Sequence, residues 1–562
     1  MLTKFARIGS IVAAMVLGST GLTLAGTSAT PATSTGTVVA QASPAPTASP
    51  DPFTWRGQVR AYDFTRQNAY SAYGGALGGP KSKPNQSTEA NSISLHGDYT
   101  FADSGFGIGA SYLYSLPGNG CSSAASHFPQ SNANQCAGAG FSAVPGNNNV
   151  YQDDTLPGYS LSTLYEAYLS YKGNGLNFKG GDMVGWLPWA PASDSRLKPV
   201  SYEGADVQYA LNKNWAVEGA DFFQWECRTC ANFDRYTLLT EPNIFPYGGT
   251  SAGIASNYLD PSQGGISNNG FFFGRIGYTG PKTLPLTANV SYYAFNQIAD
   301  LLWVDAKLPL PGTLKPFVAL QFGSESNENN YTVPGTTTST GILGNISSTV
   351  FGAQAGFNPL KNITLTAGFD SIPIKTAVIG PGGVLPNGQK VSTLIKGCTA
   401  GQFSFASNYN VNLPYFLPGS GTGQCSKNAD GSYNVYYGGL ASPYTDSYAT
   451  DPLFTTQLTQ GMVDRRSPGT SYKVQATFTS DDKRFVSYVS QAWYDYNNGA
   501  IAQGTMEFNF DALYYFSKLP KSGSYKGFLF RYRYGDRDES NFPGAAAPAL
   551  FKYNRFQAEY DF

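Results

Sequence analysis

The sequence has few charged residues and very few histidines or methionines for its 562 residues. Only 13% of the residues are charged, 2 are His and 5 are Met, whereas soluble domains carry about 25% charged residues. Apart from one apolar run near the start, no segment approaches the roughly 18 apolar residues of a membrane-spanning helix. The composition therefore argues against a series of soluble domains and against a helical membrane protein.

Aromatic residues and glycine are abundant instead. The chain has 38 Tyr, 36 Phe, 7 Trp and 64 Gly, and its aromatic content of 14% exceeds its charged content. Low charge and many aromatic residues without helical spans are typical of a β-protein in contact with lipid. The net charge is −1 and no basic run occurs, so no nucleic-acid partner is predicted.

The first residues have the pattern of an export signal. Lys4 and Arg7 precede an apolar run from Ile8 to Leu24, and Ala40-Gln41-Ala42 offers a small-x-small cleavage site. A membrane anchor is the alternative, but Gly, Ser and Thr dilute the run. The predicted organisation is a signal peptide over 1–42, a Pro/Ala/Ser-rich linker over 43–52 and one β-barrel over 53–562.

The six cysteines form three pairs that are close in sequence, and an exported chain meets an oxidising compartment, so loop disulfides are predicted. Cys227 and Cys230 have the spacing of a redox motif, but no βαβ pattern surrounds them. Neither a metal site nor a cofactor is predicted. The pairs are Cys121 with Cys136, Cys227 with Cys230, and Cys398 with Cys425.

Alternation with a period of two is the main structural signal. In 504–518, one face carries Met506, Phe508, Phe510, Ala512, Tyr514 and Phe516, and the other carries Glu507, Asn509 and Asp511. A soluble sandwich also alternates, but here the apolar faces end in aromatic residues in strand after strand, as membrane girdles do. Counting such segments predicts an all-β, transmembrane antiparallel barrel of 18 strands, with 16 as the alternative.

The connections predict how the barrel is oriented. Short turns such as 172–175, 211–214 and 480–483 alternate with long links, the longest being 371–468. Short periplasmic turns and long extracellular loops are typical of bacterial outer-membrane barrels. The chain ends on an alternating aromatic strand with Phe562, which resembles the signal that the barrel-assembly machinery reads.

One proline-rich stretch between strands is a candidate constriction. Gly185 to Pro199 contains three prolines, which remove backbone donors and exclude a regular strand. Turn counting places it in the third outer loop. Its candidate residues are Trp186, Trp189, Asp194, Ser195, Arg196 and Lys198. Asp194, Arg196 or both are expected to hold the loop, with Ser195 and Lys198 nearer the permeant. The alternative is that the charges only pin the loop and that the tryptophans lie in the interfacial belt.

The run Ser193 to Gly204 resembles the OprD family of substrate-specific outer-membrane porins, which carry a similar Asp-Ser-Arg…Pro…aromatic-Glu-Gly run in their third loop. Gly57 to Arg66 and Leu164 to Gly181 are similar to that family too. The resemblance implies a monomeric eighteen-stranded barrel whose third and seventh outer loops fold inward. The seventh loop here, 371–468, is far longer than is usual in that family.

Basic side chains share the predicted inner face of neighbouring strands. They are Arg56, Arg60, Arg531, Arg533 and Arg555. Guanidinium groups offer forked donors that match carboxylates, and the resemblance implies a comparable basic ladder that guides substrate carboxylates. The alternative is a neutralised wall in which these arginines pair with Glu507, Asp511, Glu559 and Asp561.

No catalytic constellation is evident. His96 and His127 are the only histidines, and neither lies in a nucleophile motif. We therefore predict a non-enzymatic channel for small hydrophilic solutes, carboxylate-bearing ones above all, in contact with outer-membrane lipid and lipopolysaccharide. A general diffusion porin and a plugged barrel whose loops bind partners are the alternatives, and a monomer or a trimer is compatible with the sequence.

Overall fold

The structure is a computed structural model. It describes residues 52–69, 85–117, 143–151, 160–237, 268–332, 339–340, 346–379, 425–517, 526–538 and 550–562, apart from gaps of a few residues within these ranges. Asp194 and Ser195 fall in one such gap, and His127, Cys121, Cys136 and Cys398 also lie outside the described residues.

Eighteen long strands build the wall. The first nine are β1 Phe53–Ala69, β2 Asn85–Thr100, β3 Phe106–Pro117, β4 Leu161–Gly173, β5 Leu176–Met183, β6 Ser201–Ala210, β7 Trp215–Glu226, β8 Phe271–Thr279 and β9 Thr287–Phe295. The other nine are β10 Ala299–Pro309, β11 Phe317–Asn327, β12 Ser347–Leu360, β13 Ile363–Ile372, β14 Gly469–Thr479, β15 Phe485–Asn497, β16 Ala502–Tyr515, β17 Gly527–Asp538 and β18 Leu550–Asp561.

The strands close into one antiparallel barrel. Each pairs with its sequence neighbours, and β1 pairs with both β2 and β18. Closure removes the exposed edges that an open sheet would present. The predicted barrel and its count of 18 strands are confirmed, and the alternative of 16 is wrong.

The barrel closes where β1 meets the residue that follows β18. The backbone N–H of Gly57 donates to the Phe562 carbonyl at 3.0 Å, and the Phe562 N–H donates back to the Gly57 carbonyl at 2.9 Å. A Cβ on residue 57 would collide with the Phe562 ring. The Phe562 ring also lies edge-on to Trp55, with centroids 5.7 Å apart. Glycine at 57 thus permits the terminal aromatic residue to pack across the seam.

Side-chain alternation sets the two faces of the wall. In β16, Met506, Phe508 and Tyr514 are exposed on the outer face, whereas Glu507 and Asp511 are fully buried inside. The period of two of an extended strand produces this separation. The predicted assignment of outward apolar and inward polar residues in this segment is confirmed.

The connections divide as predicted into short turns at one end and mostly long loops at the other. The turn between β4 and β5 needs only two residues, Asn174 and Gly175, both with positive φ (50° and 81°). Two connections at the loop end are also short, namely 296–298 and 498–501. The third and seventh outer loops are 184–200 and 373–468.

The hydrophobic core lies inside the barrel. It joins wall residues such as Phe271, Tyr293 and Trp303 to loop residues such as Trp189 and Tyr444. A lumen filled in this way is narrowed by its own loops. No helix among the described residues is long and apolar enough to cross a membrane, and a one-turn helix, Met462–Arg465, lies near the end of the seventh loop.

Candidate functional site

Trp189 anchors the third outer loop inside the barrel. Its side chain is fully buried and lies edge-on to Trp303 of β10, with ring centroids 5.0 Å apart. Its backbone N–H donates to the Tyr293 hydroxyl at 3.2 Å, and its carbonyl accepts from the Thr445 hydroxyl of the seventh loop at 3.1 Å. Trp189 therefore joins the wall to both inward loops. Trp186, in contrast, is 58% exposed.

Arg196 fixes the other side of the same loop. Its carbonyl accepts a hydrogen bond from Arg60 Nη1 at 3.0 Å, and its guanidinium carbon lies 5.1 Å from the centroid of the Phe64 ring. Both partners belong to β1. This geometry fits the expectation that Arg196 holds the loop.

Lys198, which we expect to lie nearer the permeant than Asp194 or Arg196, is enclosed by the protein. Its side chain is fully buried, and Nζ donates to the Cys227 carbonyl at 2.6 Å and lies 3.5 Å from Glu226 Oε1. The Glu226 carboxylate also accepts from the Thr163 hydroxyl at 2.7 Å. Burial of the charge demands such partners, so Lys198 ties the end of the loop to β7.

One of the predicted disulfides falls within the described part of the chain. Cys227 and Cys230 are bonded, with Cα atoms 5.0 Å apart. The bridge closes a tight turn directly beside the Lys198 contact. Cys425 begins a short strand, Cys425–Lys427, but its side chain is not among the described ones.

A segment of the seventh loop lines the lumen, and inward carboxylates of the wall hold its backbone. Glu325 of β11 accepts from the Ala441 N–H at 2.7 Å. Asp370 of β13 accepts from both the N–H and the hydroxyl of Thr455 at 2.7 Å. Glu507 of β16 accepts from the N–H and hydroxyl of Thr459 at 2.9 and 2.8 Å. We call these residues the loop-seating carboxylates.

Sequence reasoning missed this arrangement. Glu507 lies on the inner face as predicted and interacts with Arg537 opposite it on β17, but its hydrogen bonds to the seventh loop were not predicted. The available signal was the polar run Thr455-Thr456-Gln457-Leu458-Thr459-Gln460, which ends the longest loop just before β14. The hydrogen-bond donors of this run match the acceptor oxygens of inward carboxylates. The partners are far apart in sequence, however: Glu325 and Ala441 are separated by 116 residues. Local pattern cannot specify a contact at such separation.

The predicted arginine patch is brought together on β17, β18 and β1, and acids neutralise part of it. Arg531 donates from Nε and Nη2 to Asp511 at 2.9 and 2.6 Å, and Arg533 Nε donates to the same carboxylate at 2.9 Å. Arg60 Nε donates to Glu559 at 2.9 Å. Asp511 and Glu559 are two of the four acids that the alternative of a neutralised wall named as partners of the arginines.

The remaining two arginines add positive charge to the patch. Arg555 Nη2 donates to the neutral Gln557 amide at 2.6 Å, and its guanidinium carbon lies 4.6 Å from the centroid of the Tyr62 ring. Arg56 is exposed on the same inner face of β1. The five arginines thus lie beside the carboxylates Asp511, Glu559 and Asp561 on the same strands, and Arg56 also interacts electrostatically with Asp98 of β2.

A hydrogen-bonded chain around His96 lies on the adjacent strands. His96 Nδ1 is 2.6 Å from Ser111 Oγ and Nε2 is 2.6 Å from Asp98 Oδ2. Ser111 Oγ also donates to Glu166 at 2.5 Å. The order of groups is that of a nucleophilic triad, but Ser111 is almost fully buried, so a substrate has no access to its oxygen. The chain acts instead to fix the β2–β3–β4 wall.

No family model and no curated protein matches the sequence. Solved structures do match. OccK8 (OprE) of Pseudomonas aeruginosa is 12% identical over 91% of this chain and 98% of its own, with a TM-score of 0.55. OpdK of the same organism with vanillate is 10% identical over 90% and 98%, with a TM-score of 0.52. OccK2 (OpdF) of that organism in complex with glucuronate is 11% identical over 90% and 98%, with a TM-score of 0.51.

These likenesses confirm the fold that the sequence resemblance implied. The chain has the closed eighteen-stranded barrel of OprD-family porins, and the fold extends over nearly the whole of each matched structure.

Proposed function

We propose that this chain, which has the fold of the OprD-family porins, is an outer-membrane channel for passive diffusion of small hydrophilic solutes that carry a carboxylate. The observation that carries the proposal is the lumen: two outer loops fold into it and are fixed to the wall, and a cluster of five arginines, of which Arg56 is exposed, lies on its inner side. Such a lumen is narrow, polar and charged on one side.

The chemistry of the patch suits a carboxylate in transit. Guanidinium groups stay charged and present paired donors. Arg531, Arg533 and Arg60 already share carboxylates, so each offers an anion only part of its donor capacity. Conduction needs sites that attract a solute and release it again. Vanillate and glucuronate, named with two of the matched structures, are both carboxylates, which favours this solute class.

Export and assembly follow from the same proposal. Residues 1–42 would direct export as a cleavable signal, 43–52 would link it to the barrel, and the strand ending at Phe562 would be read by the barrel-assembly machinery. The mature barrel would contact outer-membrane lipid and lipopolysaccharide as a monomer or a trimer.

Planar-bilayer recording of the purified barrel tests the channel. We expect single-channel currents that a carboxylate solute such as glucuronate blocks with saturation, while a neutral sugar of similar size does not. Conductance without saturable block would indicate a general diffusion porin. Absence of conductance would indicate a plugged barrel and would contradict the proposal.

The arginine patch is tested by Arg56→Gln, at the exposed member of the patch, and by Arg555→Gln, whose Nη2 donates to the neutral Gln557 amide. A unit charge about 4 Å from an ion in water contributes about 1 kcal/mol, so each change should lower the anion-to-cation permeability ratio by about fivefold. Lys552→Gln, an outward change on β18, is the matched control and should leave the ratio unchanged. Equal ratios in all variants would exclude a guiding role for the patch.

A further inference from the structure

Lysine recurs at the turn end of the barrel. Seven of the eight short turns, from β4–β5 onward, have a lysine within them or beside them. Six are exposed and Lys172 is half-buried. The turn lysine ring comprises the six exposed lysines, Lys213, Lys282, Lys315, Lys361, Lys483 and Lys526, whereas Lys172 lies on the inner side of β4 with Tyr168.

Aromatic pairs mark the depth of this ring in the membrane. Trp215 and Tyr278 pack with ring centroids 4.7 Å apart beside Lys213. Phe528 and Tyr560 pack at 4.6 Å beside Lys526. Aromatic girdles of barrels lie at the level of the lipid headgroups, and lysine extends its ammonium toward that level along a long apolar stem. The ammonium groups therefore lie beside headgroup phosphates.

The opposite end of the outer surface has the reverse charge. Its outward side chains include the aspartates Asp63, Asp221, Asp300, Asp495 and Asp536, together with Lys552. The Tyr292 hydroxyl donates to Asp300 at 2.6 Å and the Tyr534 hydroxyl to Asp536 at 2.9 Å. Among the described strand and turn residues, positive charge on the outer surface is thus concentrated at the turn end.

Among the described residues at the turn end, acids pair with basic residues only at two neighbouring turns. Lys361 of the β12–β13 turn pairs with Asp481 of the β14–β15 turn at 2.9 Å, and Arg484 pairs with Asp482 at 2.6 Å, all at exposed positions. Exposed pairs of this kind contribute little and leave the other lysines unaffected.

We propose that the turn lysine ring binds the phosphates of anionic phospholipids in the leaflet at the turn end of the barrel. An ammonium near a lipid phosphate contributes about 1 kcal/mol, about a fivefold preference for an anionic lipid at each occupied position. The ring would orient the barrel and select its lipid neighbours. This role is independent of what passes through the lumen.

Tryptophan quenching by brominated lipid tests the proposal on the full barrel in vesicles. Trp215 is 43% exposed beside Lys213 and reports on that leaflet. In mixed vesicles at low salt, brominated phosphatidylglycerol should quench about fivefold more effectively than brominated phosphatidylcholine at equal fraction. The preference should fall as salt rises, because salt screens exposed charges.

Charge variants identify the residues. Changing Lys213, Lys282, Lys315, Lys483 and Lys526 to Gln should abolish the preference, whereas changing the same five to Arg should keep it. Lys552→Gln, at the loop end, should behave as the unaltered protein. Heat-modifiable gel mobility checks that each variant is folded.

Two outcomes would overturn the proposal. One is an undiminished preference in the folded glutamine variant. The other is loss of the preference when soluble glycerol phosphate is added at the concentration of lipid headgroups, since that would identify a site for free phosphate rather than a lipid-binding surface. If the glutamine variant does not fold, a salt-independent preference in the unaltered protein overturns it equally.

Discussion

At the scale of single residues, Lys198 and Glu226 form a buried pair whose removal can be tested. Lys198→Met leaves the Glu226 carboxylate buried without its cation, which typically costs about 3–5 kcal/mol. Backbone amides around 196–200 and 226–228 should then exchange with solvent about 100-fold faster or more, as measured by hydrogen–deuterium exchange. Single-channel conductance should change little, because the ammonium touches the protein alone.

The double variant Lys198→Met with Glu226→Leu is the control for this pair. Replacing both charges by apolar groups of similar size removes the uncompensated carboxylate. Exchange rates near those of the unaltered protein are expected. Slow exchange in the single variant would show that the pair does not hold the loop.

Asp451 of the seventh loop makes the seated loop sensitive to pH. Burial raises the pKa of Asp451 to about 7, the nearby Asp370 adds to the rise, and Lys473 and hydrogen bonds from Thr456 and the Leu453 N–H oppose it. An acid whose pKa is raised by folding favours the folded loop fully below its ordinary pKa of about 4, and that contribution is lost as pH rises to about 7.

Hydrogen exchange of residues 451–461, corrected for intrinsic rates, should therefore be faster at pH 8 than at pH 5. Asp451→Asn removes this titrating group and should reduce the difference in corrected exchange between the two pH values. An undiminished difference in this variant would assign the effect to another group.

At the scale of elements, the loop-seating carboxylates decide where the seventh loop lies. An amide side chain offers one acceptor oxygen where a carboxylate offers two, so Asp370→Asn and Glu507→Gln each lose charge-assisted hydrogen bonds to Thr455 or Thr459. Loss of about 1.5–3 kcal/mol per bond to a charged group should release the loop. We expect larger and noisier single-channel conductance in planar bilayers.

A matched change on the outer surface separates this effect from general loss of charge. Asp536→Asn faces lipid on β17 and should leave the conductance unchanged. Identical currents in all three variants would mean that the seventh loop does not narrow the lumen.

The third loop depends on one aromatic anchor. Trp189→Ala removes the contact with Trp303 and opens a cavity, at a cost of about 3–5 kcal/mol for a buried tryptophan. We expect the loop to leave the wall and the conductance to rise. Trp186→Ala, at an exposed position of the same loop, is the control, and a rise in that variant alone would place the constriction elsewhere in the loop.

At the scale of the whole molecule, the barrel does not rely on its described disulfide. The Cys227–Cys230 bridge spans a sequence separation of 3 and lies outside the strand ladders. Closing so short a loop restrains the unfolded chain little. Reduction should leave heat-modifiable gel mobility unaltered while speeding exchange near 227–230. Loss of that mobility on reduction would show that the barrel needs its bridges.

Much of the wall could be predicted from sequence because side-chain direction in a strand is local. Met506 and Glu507 face opposite sides whatever the rest of the chain does. The alternation of short turns with longer loops then fixes which end each connection joins. The strand count and the position of the third loop follow from these two local patterns.

Contacts inside the lumen could not be predicted in the same way. Two shifts of register, at Ser111/Tyr112 and at Glu203/Gly204, alter which side chains oppose each other across strands, and such bulges depend on how the whole sheet closes. Ser111 meets both His96 and Glu166 for this reason. The alternation of side chains along each strand placed the arginines on the inner face. Only the pairing of β16 with β17 showed that Arg531 and Arg533 both bind Asp511.

The sequence by itself determined the alternating strands, their number and the location of Trp186 to Pro199 between β5 and β6. Only the tertiary structure decided that Trp189 packs on Trp303 and that Lys198 forms a buried ion pair with Glu226. It also decided that the seventh loop is hydrogen-bonded to Glu325, Asp370 and Glu507. The physical reason is the separation of the interacting residues along the sequence. Alternation depends on adjacent residues, whereas a buried charge pairs with whatever group the closed barrel brings within hydrogen-bonding distance.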